Sequence, residues 1–338
     1  MTRDPALPAG ESGRASSAGA GPTRRAAGSA DPMLAARLDD VEAILRDLRS
    51  VLVAYSGGVD SSLLARLAHD VLGPRAIACI AVSPSLASDE LEAAVAVAGS
   101  IGIRLVRVET HEVELEAYAR NPVNRCYVCR GVVFEALAAV AAAEGIDAIV
   151  YGENADDAAD YRPGARAAVQ AGVRAPLAEA GLTKADVRAL ARALGLPTWE
   201  KPAAPCLSTR IPYGERVTVE KLRQIEAAER VVRGLGFRES RVRHHGEIAR
   251  VEVSPDQLAR AIEPGVRATM TRELRRLGFR HVTLDLQGYR SGSLNEGVVQ
   301  PDRAGRRSPL AAFVTPQAAT PDGAVRPPSA PGREATDG

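Results

Sequence analysis

The chain has 338 residues, 46% of them hydrophobic and only 4% aromatic, so it is long enough for two domains with cores built from Ala, Val and Leu. Its 43 basic and 42 acidic side chains nearly cancel, so no global field attracts a polyanion such as tRNA, and we expect no nucleic-acid partner. No stretch has the roughly 20 apolar residues of a membrane span and no signal-peptide pattern is present, so we expect a cytoplasmic enzyme without a membrane partner.

Residues 1–31 and 299–338 are rich in Pro, Gly, Ala, Ser and Arg and have no apolar period, which predicts disordered tails. From residue 32 to 200, apolar runs alternate with helical patterns, which is typical of an α/β domain with a doubly wound parallel sheet. The predicted strands are residues 51–55, 76–82, 104–108 and 146–151. The predicted helices are residues 33–50, 61–71, 88–101 and 130–144.

A long loop follows at residues 201–217, where three prolines and a glycine within KPAAPCLSTRIPYG argue against a helix or a central strand. The loop carries Cys206, and we predict that it belongs to the active site. Residues 218–298 have the pattern of a smaller C-terminal α+β domain, for substrate binding or oligomerisation. Its predicted elements are a helix at 219–235, strands at 239–244 and 249–253, a helix at 267–277 and a strand at 281–286.

The most informative segment reads SGGVDSS, from Ser56 to Ser62, between a predicted strand and a predicted helix. Glycines allow a tight turn close to a ligand, while backbone N–H groups and serine hydroxyls at a helix N-terminus can cradle phosphate oxygens. Neither the Gly-Lys-Ser/Thr end of a Walker loop nor the G-x-G-x-x-G dinucleotide fingerprint is present. The segment therefore predicts a pyrophosphate-binding loop, and the alternative is an ordinary strand-to-helix turn with Asp60 as the helix N-cap.

This segment resembles the signature of the PP-loop ATP pyrophosphatases, a group that includes NAD synthetase and the tRNA thiolation enzymes. The resemblance implies a HUP-like fold and the cleavage of ATP to AMP and pyrophosphate, with AMP transferred to a carbonyl or carboxyl oxygen. It also implies that Asp60 helps to hold Mg²⁺ on the pyrophosphate. The implied pyrophosphate-binding residues are Ser56, Gly57, Gly58, Asp60, Ser61 and Ser62.

Further candidates lie at the ends of other strands, because open α/β sheets bind ligands at the carboxyl edge of their parallel strands. Ala81 and Ser83, at the end of the second predicted strand, are expected to line the adenine pocket. Asn154 and Asp157 follow the fourth strand, and the resemblance implies that both face the nucleotide. The alternative for this pair is a solvated acidic turn.

Three of the four cysteines form a pattern that indicates chemistry. Cys126 and Cys129 make a CxxC where a helix is expected to begin, and Cys206 lies in the proline-rich loop. Thiolates at i and i+3 near a helix start can bind one metal centre, and Arg125 and Arg130 beside them are expected to favour the ionised form. The alternative is that the CxxC is structural or incidental.

Five segments resemble the LarE family in the same order, over roughly residues 35–298. They read NPVNRCYVCR, GENADDAADYRPGARA, WEKPAAPCLSTRIPYGERVT, RVRHHGEIARVEV and DLQGYRSGSLNE. The resemblance implies that ATP adenylates a carboxylate of pyridinium-3,5-biscarboxylic acid mononucleotide and that a sulfur nucleophile then displaces AMP. The thiocarboxylate product would pass to a nickel-insertion enzyme to make the nickel-pincer nucleotide of lactate racemase. A homo-oligomer is also implied.

The resemblance implies two possible sulfur sources. In one, the cysteine at the position of Cys206 attacks and gives up its own sulfur, which leaves dehydroalanine. In the other, three cysteines hold a [4Fe-4S] cluster whose fourth iron carries the sulfide. Because Cys126, Cys129 and Cys206 are all present, the cluster is the favoured expectation, since three thiolates leave one iron open. The sacrificial route stays open, because Cys206 alone suffices for it.

Arg210, Arg241 and Arg243 are predicted to bind the substrate, because guanidinium groups make bidentate contacts with carboxylates and phosphates. The alternative for Arg241 and Arg243 is an exposed position on a strand. Glu229 is a further metal ligand by resemblance, and its alternative is an ion pair at helical spacing.

Two rival functions remain open at this point. A tRNA thiolase would use the same ATP site but needs a basic RNA surface, which the balanced charge does not favour. A metal-binding scaffold with an inactive loop would be expected to lack Asp60, which is present.

Overall fold

The computed structural model describes residues 32–159 and 163–290, and the predicted tails lie outside them. Four parallel strands form the first sheet: β1 Val51–Ala54, β2 Ala76–Val82, β3 Arg104–Glu109 and β4 Ala148–Tyr151. Their order is β3-β2-β1-β4, so the chain runs from β1 outward to β3 and then returns to add β4 on the other side of β1. This topology confirms the predicted doubly wound α/β fold.

Helices flank this sheet and continue into the C-terminal part. In chain order they are α1 Pro32–Leu48, α2 Val59–Leu72, α3 Ser88–Ile101, α4 Glu116–Ala119, α5 Arg125–Glu144, α6 Pro163–Gln170, α7 Pro176–Glu179, α8 Lys184–Ala193, α9 Val219–Gly234, α10 Leu258–Ala261 and α11 Pro264–Arg276. The predicted helix at 130–144 starts too late, because the helix already begins at Arg125, soon after Pro122. No helix is predicted from the sequence in the segment that forms α6, α7 and α8.

The first sheet is covered on both faces, as continuous apolar strands predict for a parallel sheet. Val51 and Val53 of β1 pack with α2 on one face. Leu52 between them packs on the other face, with Cys79 of β2 and Leu137 of α5. Cys79 is only 1% exposed, so this cysteine is a core residue.

Helix α5 is, among the described residues, the one helix that is long and apolar enough to cross a membrane. The sequence analysis expects no such stretch, so this expectation is wrong on length and composition alone. In the fold, Phe134, Leu137 and Ala141 are buried against the sheet or α6. A helix that covers the sheet of a soluble α/β core passes the same test, so α5 is weak evidence for a membrane.

A second sheet contains three strands, β5 Ser240–His245, β6 Ile248–Val253 and β7 His281–Leu284. Strand β6 pairs antiparallel with β5 and parallel with β7. Helices α9 and α11 pack on this sheet around Phe237 and Leu274. The predicted order of helix, two strands, helix and strand is confirmed.

The loop at residues 201–217 has an irregular backbone apart from the 3₁₀ turn Leu207–Arg210. Leu207 and Ile211 are nevertheless buried, in one cluster with Tyr118. The loop is therefore held by packing, although it has little secondary structure of its own. The domain boundaries proposed on either side of it stay a prediction.

Candidate active site

The loop from Ser56 to Ser62 lies between β1 and α2, as the sequence predicts. Gly57 has φ +70°, and a Cβ at this position would lie 2.5 Å from the Cβ of Ala94. The Ser56 and Ser61 hydroxyls are 3.0 Å apart, and Ser61 Oγ also donates to the carbonyl of Gly58. The loop is therefore a tight turn whose hydroxyls and N–H groups are gathered at the start of a helix, where an anion is stabilised.

Asp60 is surrounded by groups that come from distant parts of the sequence. Its carboxylate pairs with the ammonium group of Lys184 and accepts a hydrogen bond from Asn154 Nδ2 at 3.1 Å. Asn154, only 2% exposed, also donates to Asp157 Oδ2 at 2.9 Å. The β4 end sits tightly on the loop, because a Cβ on Gly152 would lie 2.6 Å from the backbone nitrogen of Ser61. The predicted Asp60, Asn154 and Asp157 are thus brought together.

Two lysines that the sequence analysis missed complete the phosphate end. Lys184 begins helix α8, behind an N-cap Thr183 that forms a capping box with Asp186. Lys201 donates to the carbonyl of Gly57 at 3.2 Å and pairs with Glu90. The capping box was visible in the sequence as a helix start, but nothing local showed that the helix would point Lys184 at Asp60.

No three His, Cys, Asp or Glu side chains in residues 32–159 and 163–290 are arranged to hold a metal ion. For Mg²⁺ this result agrees with the expected chemistry, because Mg²⁺ usually binds through one or two carboxylates together with the phosphates of its nucleotide. The carboxylates available for this role are those of Asp60 and Asp157, which both accept a hydrogen bond from Asn154. For the [4Fe-4S] cluster predicted from Cys126, Cys129 and Cys206, the structure gives no support.

A cavity of about 820 Å³ joins the phosphate end to Cys129 and Cys206, whereas Cys126 is exposed and is not among its lining residues. Its lining includes the predicted residues Ser56, Gly58, Asp60, Ser61, Ala81, Ser83, Asn154, Asp157, Cys129 and Cys206. Gly57 and Ser62 also belong to the loop, but they are buried and are not among the lining residues. Lys184, Lys201, Arg130 and Arg188 add positive charge to the walls, so the cavity suits a polyphosphate.

The cysteines approach one another from two segments. Cys126 and Cys129 lie in the first turn of α5, and Cys206 directly precedes the 3₁₀ turn of the loop. Burial raises the pKa of the Cys126 thiol and of the Cys129 thiol, and the nearby Cys206 raises both further. The expectation that Arg125 and Arg130 favour the ionised thiols is therefore wrong in its net effect: Arg125 does lower both pKa values, but burial outweighs it.

Arg125 connects the two cysteine-bearing segments. It is 1% exposed and donates to Asn121 Oδ1 and to the carbonyl of Ser208, two residues after Cys206. Its guanidinium group lies 5.8 Å from the centre of the Tyr118 ring. Asn121 in turn donates to the carbonyls of Ile211 and Pro212. These contacts fix the Cys206 loop on the start of α5, a role that sequence reasoning missed.

Two of the predicted substrate-binding arginines also hold this loop. Arg210 pairs with Glu229 at 2.9 Å and donates to the carbonyls of Pro205 and Cys206. Arg243 pairs with Glu252 at 3.0 Å and donates to the carbonyl of Thr209 at 2.8 Å. Both arginines are buried. Neither is among the cavity's lining residues.

Glu229 is 2% exposed and accepts hydrogen bonds from Arg210 and from the backbone N–H of Val242, so its carboxylate is fully engaged. Its metal role stays a prediction. Arg241 differs from the other two arginines, since its guanidinium donates to the carbonyl of Ser240 at 2.7 Å and lies 4.9 Å from the centre of the Tyr289 ring. Burial lowers the pKa of Arg241, and the positive charge of Arg210 adds to that effect.

Comparison with known proteins supports this arrangement. The family model for NAD synthase matches residues 39–124, which include the phosphate loop. The chain is 46% identical to an uncharacterized protein of Synechocystis over 263 residues, 78% of this chain and 98% of that protein. It is 38% identical to the pyridinium-3,5-bisthiocarboxylic acid mononucleotide synthase of Lactiplantibacillus plantarum over 264 residues, 78% of this chain and 95% of that enzyme.

The chain belongs to the LarE family. It is an ATP-dependent sulfurtransferase that uses ATP with Mg²⁺. The loop after β1 and the Cys129 and Cys206 side chains thus line one cavity.

Proposed function

We propose that this chain converts carboxylates of pyridinium-3,5-biscarboxylic acid mononucleotide to thiocarboxylates and cleaves ATP to AMP and pyrophosphate. The name of the L. plantarum relative supports this substrate. The observation that carries the proposal is the shared cavity, in which the phosphate loop and the Cys129 and Cys206 side chains line the same space. An acyl-adenylate formed at one end is within the same enclosure as the sulfur that must attack it.

In the first step, a carboxylate oxygen of the substrate attacks the α-phosphorus of ATP and pyrophosphate leaves. The N–H groups and hydroxyls of the loop, with Lys184 and Lys201, are positioned to hold the leaving pyrophosphate. Bound Mg²⁺, held by Asp60 and the phosphates, would neutralise part of its charge. Adenylation turns a poor leaving oxygen into a good one.

In the second step, a sulfur nucleophile attacks the acyl carbon and AMP leaves. We propose Cys206 as the essential residue of this step. In the sacrificial route, its thiolate forms a thioester with the substrate; loss of the Cys206 α-proton to a base then breaks the Cβ–Sγ bond. The thiocarboxylate leaves with the sulfur, and dehydroalanine remains.

A [4Fe-4S] cluster bound by Cys126, Cys129 and Cys206 is the second route, and it would make the sulfur renewable. Its support is the set of three thiols on two adjoining segments. The arrangement of these side chains as a metal site is unsupported. Both routes share the requirement for Cys206.

The test combines metal analysis with the mass of the protein after a single turnover. After anaerobic reconstitution, about four iron atoms per chain and an unchanged chain mass would identify the cluster route. Absence of iron, with loss of one H₂S from Cys206, would identify the sacrificial route. Thiocarboxylate formation by Cys206→Ser would contradict both. Cys79→Ala, which removes the buried thiol of β2, is the control and is expected to remain active.

Several broader expectations rest on family resemblance: the homo-oligomer, the cytoplasmic location and transfer of the product to a nickel-insertion enzyme for the lactate racemase cofactor. The tRNA thiolase alternative is tested by pyrophosphate release with the mononucleotide or with bulk tRNA. Release that depends on tRNA alone would refute the proposed substrate. The formal net charge of +1 favours the small molecule.

A further inference from the structure

Glu112 is a buried carboxylate in the cavity with one oxygen unused. It begins the short 3₁₀ turn Glu112–Glu114, just after the carboxyl end of β3, and is 2% exposed. Its Oε1 accepts a hydrogen bond from the Ser83 hydroxyl at 2.6 Å. Its Oε2 is buried and has no hydrogen-bond partner in the described part of the chain.

A buried carboxylate oxygen without a donor is unfavourable, and nearly all such groups in folded proteins have a partner. Glu112 lines the cavity together with Ser83, Thr110 and Cys129. The carboxylate with the unpaired oxygen is therefore part of the wall of this cavity. A hydrogen-bond donor from a bound molecule is the natural partner that completes it.

The cavity also contains an unused donor. Arg130 Nη1 is buried without an acceptor among the described residues, and its guanidinium lies 5.8 Å from the centre of the Tyr151 ring. A ligand that completes both groups needs neutral donors for Glu112 and an anionic acceptor for Arg130. A nucleotide has both, because its ribose carries hydroxyl donors and its phosphate carries acceptors.

The position of Glu112 favours the ribose over the base. Glu112 and Ser83 follow β3 and β2, at the carboxyl edge that also carries the phosphate loop after β1. Glu112 lines the cavity together with Cys129 and Cys206, so the carboxylate shares a wall with the sulfur end. The reacting α-phosphate must also come close to the sulfur, and the ribose is bonded directly to that phosphate, whereas the base is farther away. In the dinucleotide-binding α/β fold, a carboxylate binds a ribose hydroxyl in the same manner.

We propose that Glu112, oriented by Ser83, binds the hydroxyl groups of a nucleotide ribose and thereby positions the nucleotide between the phosphate loop and the cysteines. This inference rests on the proposed function for the presence of two nucleotides, ATP and the mononucleotide substrate. Each has a ribose, so the chemistry of recognition is the same for both.

The experiment measures direct binding by equilibrium dialysis and the KM for pyrophosphate release, in the full-length wild type and in Glu112→Ala. The ligands are ATP, 2′-deoxy-ATP, 3′-deoxy-ATP and the mononucleotide. Binding does not depend on sulfur transfer, so this readout stays interpretable if the proposed reaction fails. The matched control is Glu114→Gln, at the exposed end of the same turn, which is expected to leave all values unchanged.

If Glu112 binds the ribose of ATP, Glu112→Ala weakens ATP binding by roughly 10- to 100-fold. The wild type then discriminates against at least one deoxy-ATP by a similar factor, and the variant loses this discrimination because the two changes remove the same contact. If Glu112 binds the ribose of the substrate, only mononucleotide binding weakens, and the ratio of ATP to deoxy-ATP binding is the same in Glu112→Ala as in the wild type. Both results support the proposal and identify the source of the ribose.

Unchanged binding of both nucleotides in Glu112→Ala would overturn the proposal. Ser83→Ala provides a second variant with a smaller structural change, since it removes only the hydroxyl that orients Glu112. It is expected to weaken the same nucleotide as Glu112→Ala, by a smaller factor. Weakening of the other nucleotide instead would also contradict the proposed contact.

Discussion

The phosphate end and the cysteine end of the cavity are built in different ways. The phosphate loop from Ser56 to Ser62 is a local structure, because it folds back on itself through its own hydroxyls and carbonyls. The side chains around it, those of Asn154, Lys184 and Lys201, come from distant segments. The cysteine end requires three separate segments: the start of α5, the Cys206 loop and strand β5. Arg125 and Arg243 join them through contacts to Ser208 and Thr209. A local site tolerates changes elsewhere in the chain, whereas an assembled site depends on distant contacts.

The ion pairs at the two ends also differ in their exposure to solvent. The Lys184 side chain at the phosphate end is 39% exposed, so its ammonium group can leave Asp60 and pair with a nucleotide phosphate. At the cysteine end, the Arg210–Glu229 and Arg243–Glu252 pairs are nearly inaccessible. Removing one partner of a buried pair leaves an uncompensated charge. Substitutions at the phosphate end should therefore affect chemistry, and those behind the cysteine loop should affect folding as well.

The largest expected effect is on the chemistry of the phosphate end. Asp60→Asn should lower AMP and pyrophosphate formation by roughly 1,000-fold, because it removes the carboxylate proposed to hold Mg²⁺ and the partner of Lys184. The free energy of unfolding, measured in urea, should change little. Asp70→Asn, on the same helix α2 but paired with Arg66, is the control and should retain activity. Normal AMP production by Asp60→Asn would contradict the role of this carboxylate.

Substitutions in the buried ion pairs behind the cysteine end should lower the stability of the protein. Glu252→Gln or Arg243→Met alone should each lower the free energy of unfolding by about 3–5 kcal/mol, because each removes one charge of a buried ion pair. The double variant should recover much of that loss, and urea unfolding measures all three. Arg280→Met breaks the exposed Arg280–Glu247 pair and should cost at most about 1 kcal/mol. Equal losses for the buried and exposed pairs would remove the proposed contrast between the two ends.

A smaller effect is expected when the Cys206 loop is displaced while the ATP site is left intact. Arg125→Met should lower thiocarboxylate formation by roughly 10- to 100-fold through displacement of the Cys206 loop. The KM for ATP should stay unchanged, because the phosphate end does not depend on Arg125. Arg125→Lys, which keeps the charge but not the planar fork, should recover only part of the rate. A raised KM for ATP would show that the two ends are coupled.

The smallest effect concerns the thiol in the core beside the phosphate end. Burial raises the pKa of Cys79 from 9.0 to about 11. The unfolded chain therefore loses this proton first as the pH rises, and the contribution to stability is complete below pH 9 and is lost between pH 9 and 11. The wild type should lose up to about 2 kcal/mol relative to Cys79→Ala over this range in urea unfolding. A constant difference between the two proteins would contradict the pKa shift.

Much of the fold could be predicted from the sequence, because strand and helix periodicity is local. The alternation of apolar runs and helical patterns gave the parallel sheet, and the order of elements after residue 218 gave the second sheet. The region from residue 163 to 193 was missed: α6 and α7 are short, whereas α8 has both the Thr183 capping box and a helical apolar period, with Val187, Leu190 and Ala191 buried, that could have predicted it. Short helices gain most of their stability from tertiary packing.

The candidate site likewise has a part that is local in sequence and a part that depends on tertiary packing. Sequence alone determined the phosphate loop, because the backbone conformation, the hydroxyls and the helix start all lie within SGGVDSS, and a tight turn of this kind needs no distant partner. It also identified the three cysteines as a set. Only the tertiary structure decided that Lys184 faces Asp60, that Arg210 and Arg243 hold the Cys206 loop, and that Glu112 keeps an unused oxygen in the cavity. Those facts depend on which remote segments pack together, and the burial that results sets the energetic weight of each charge.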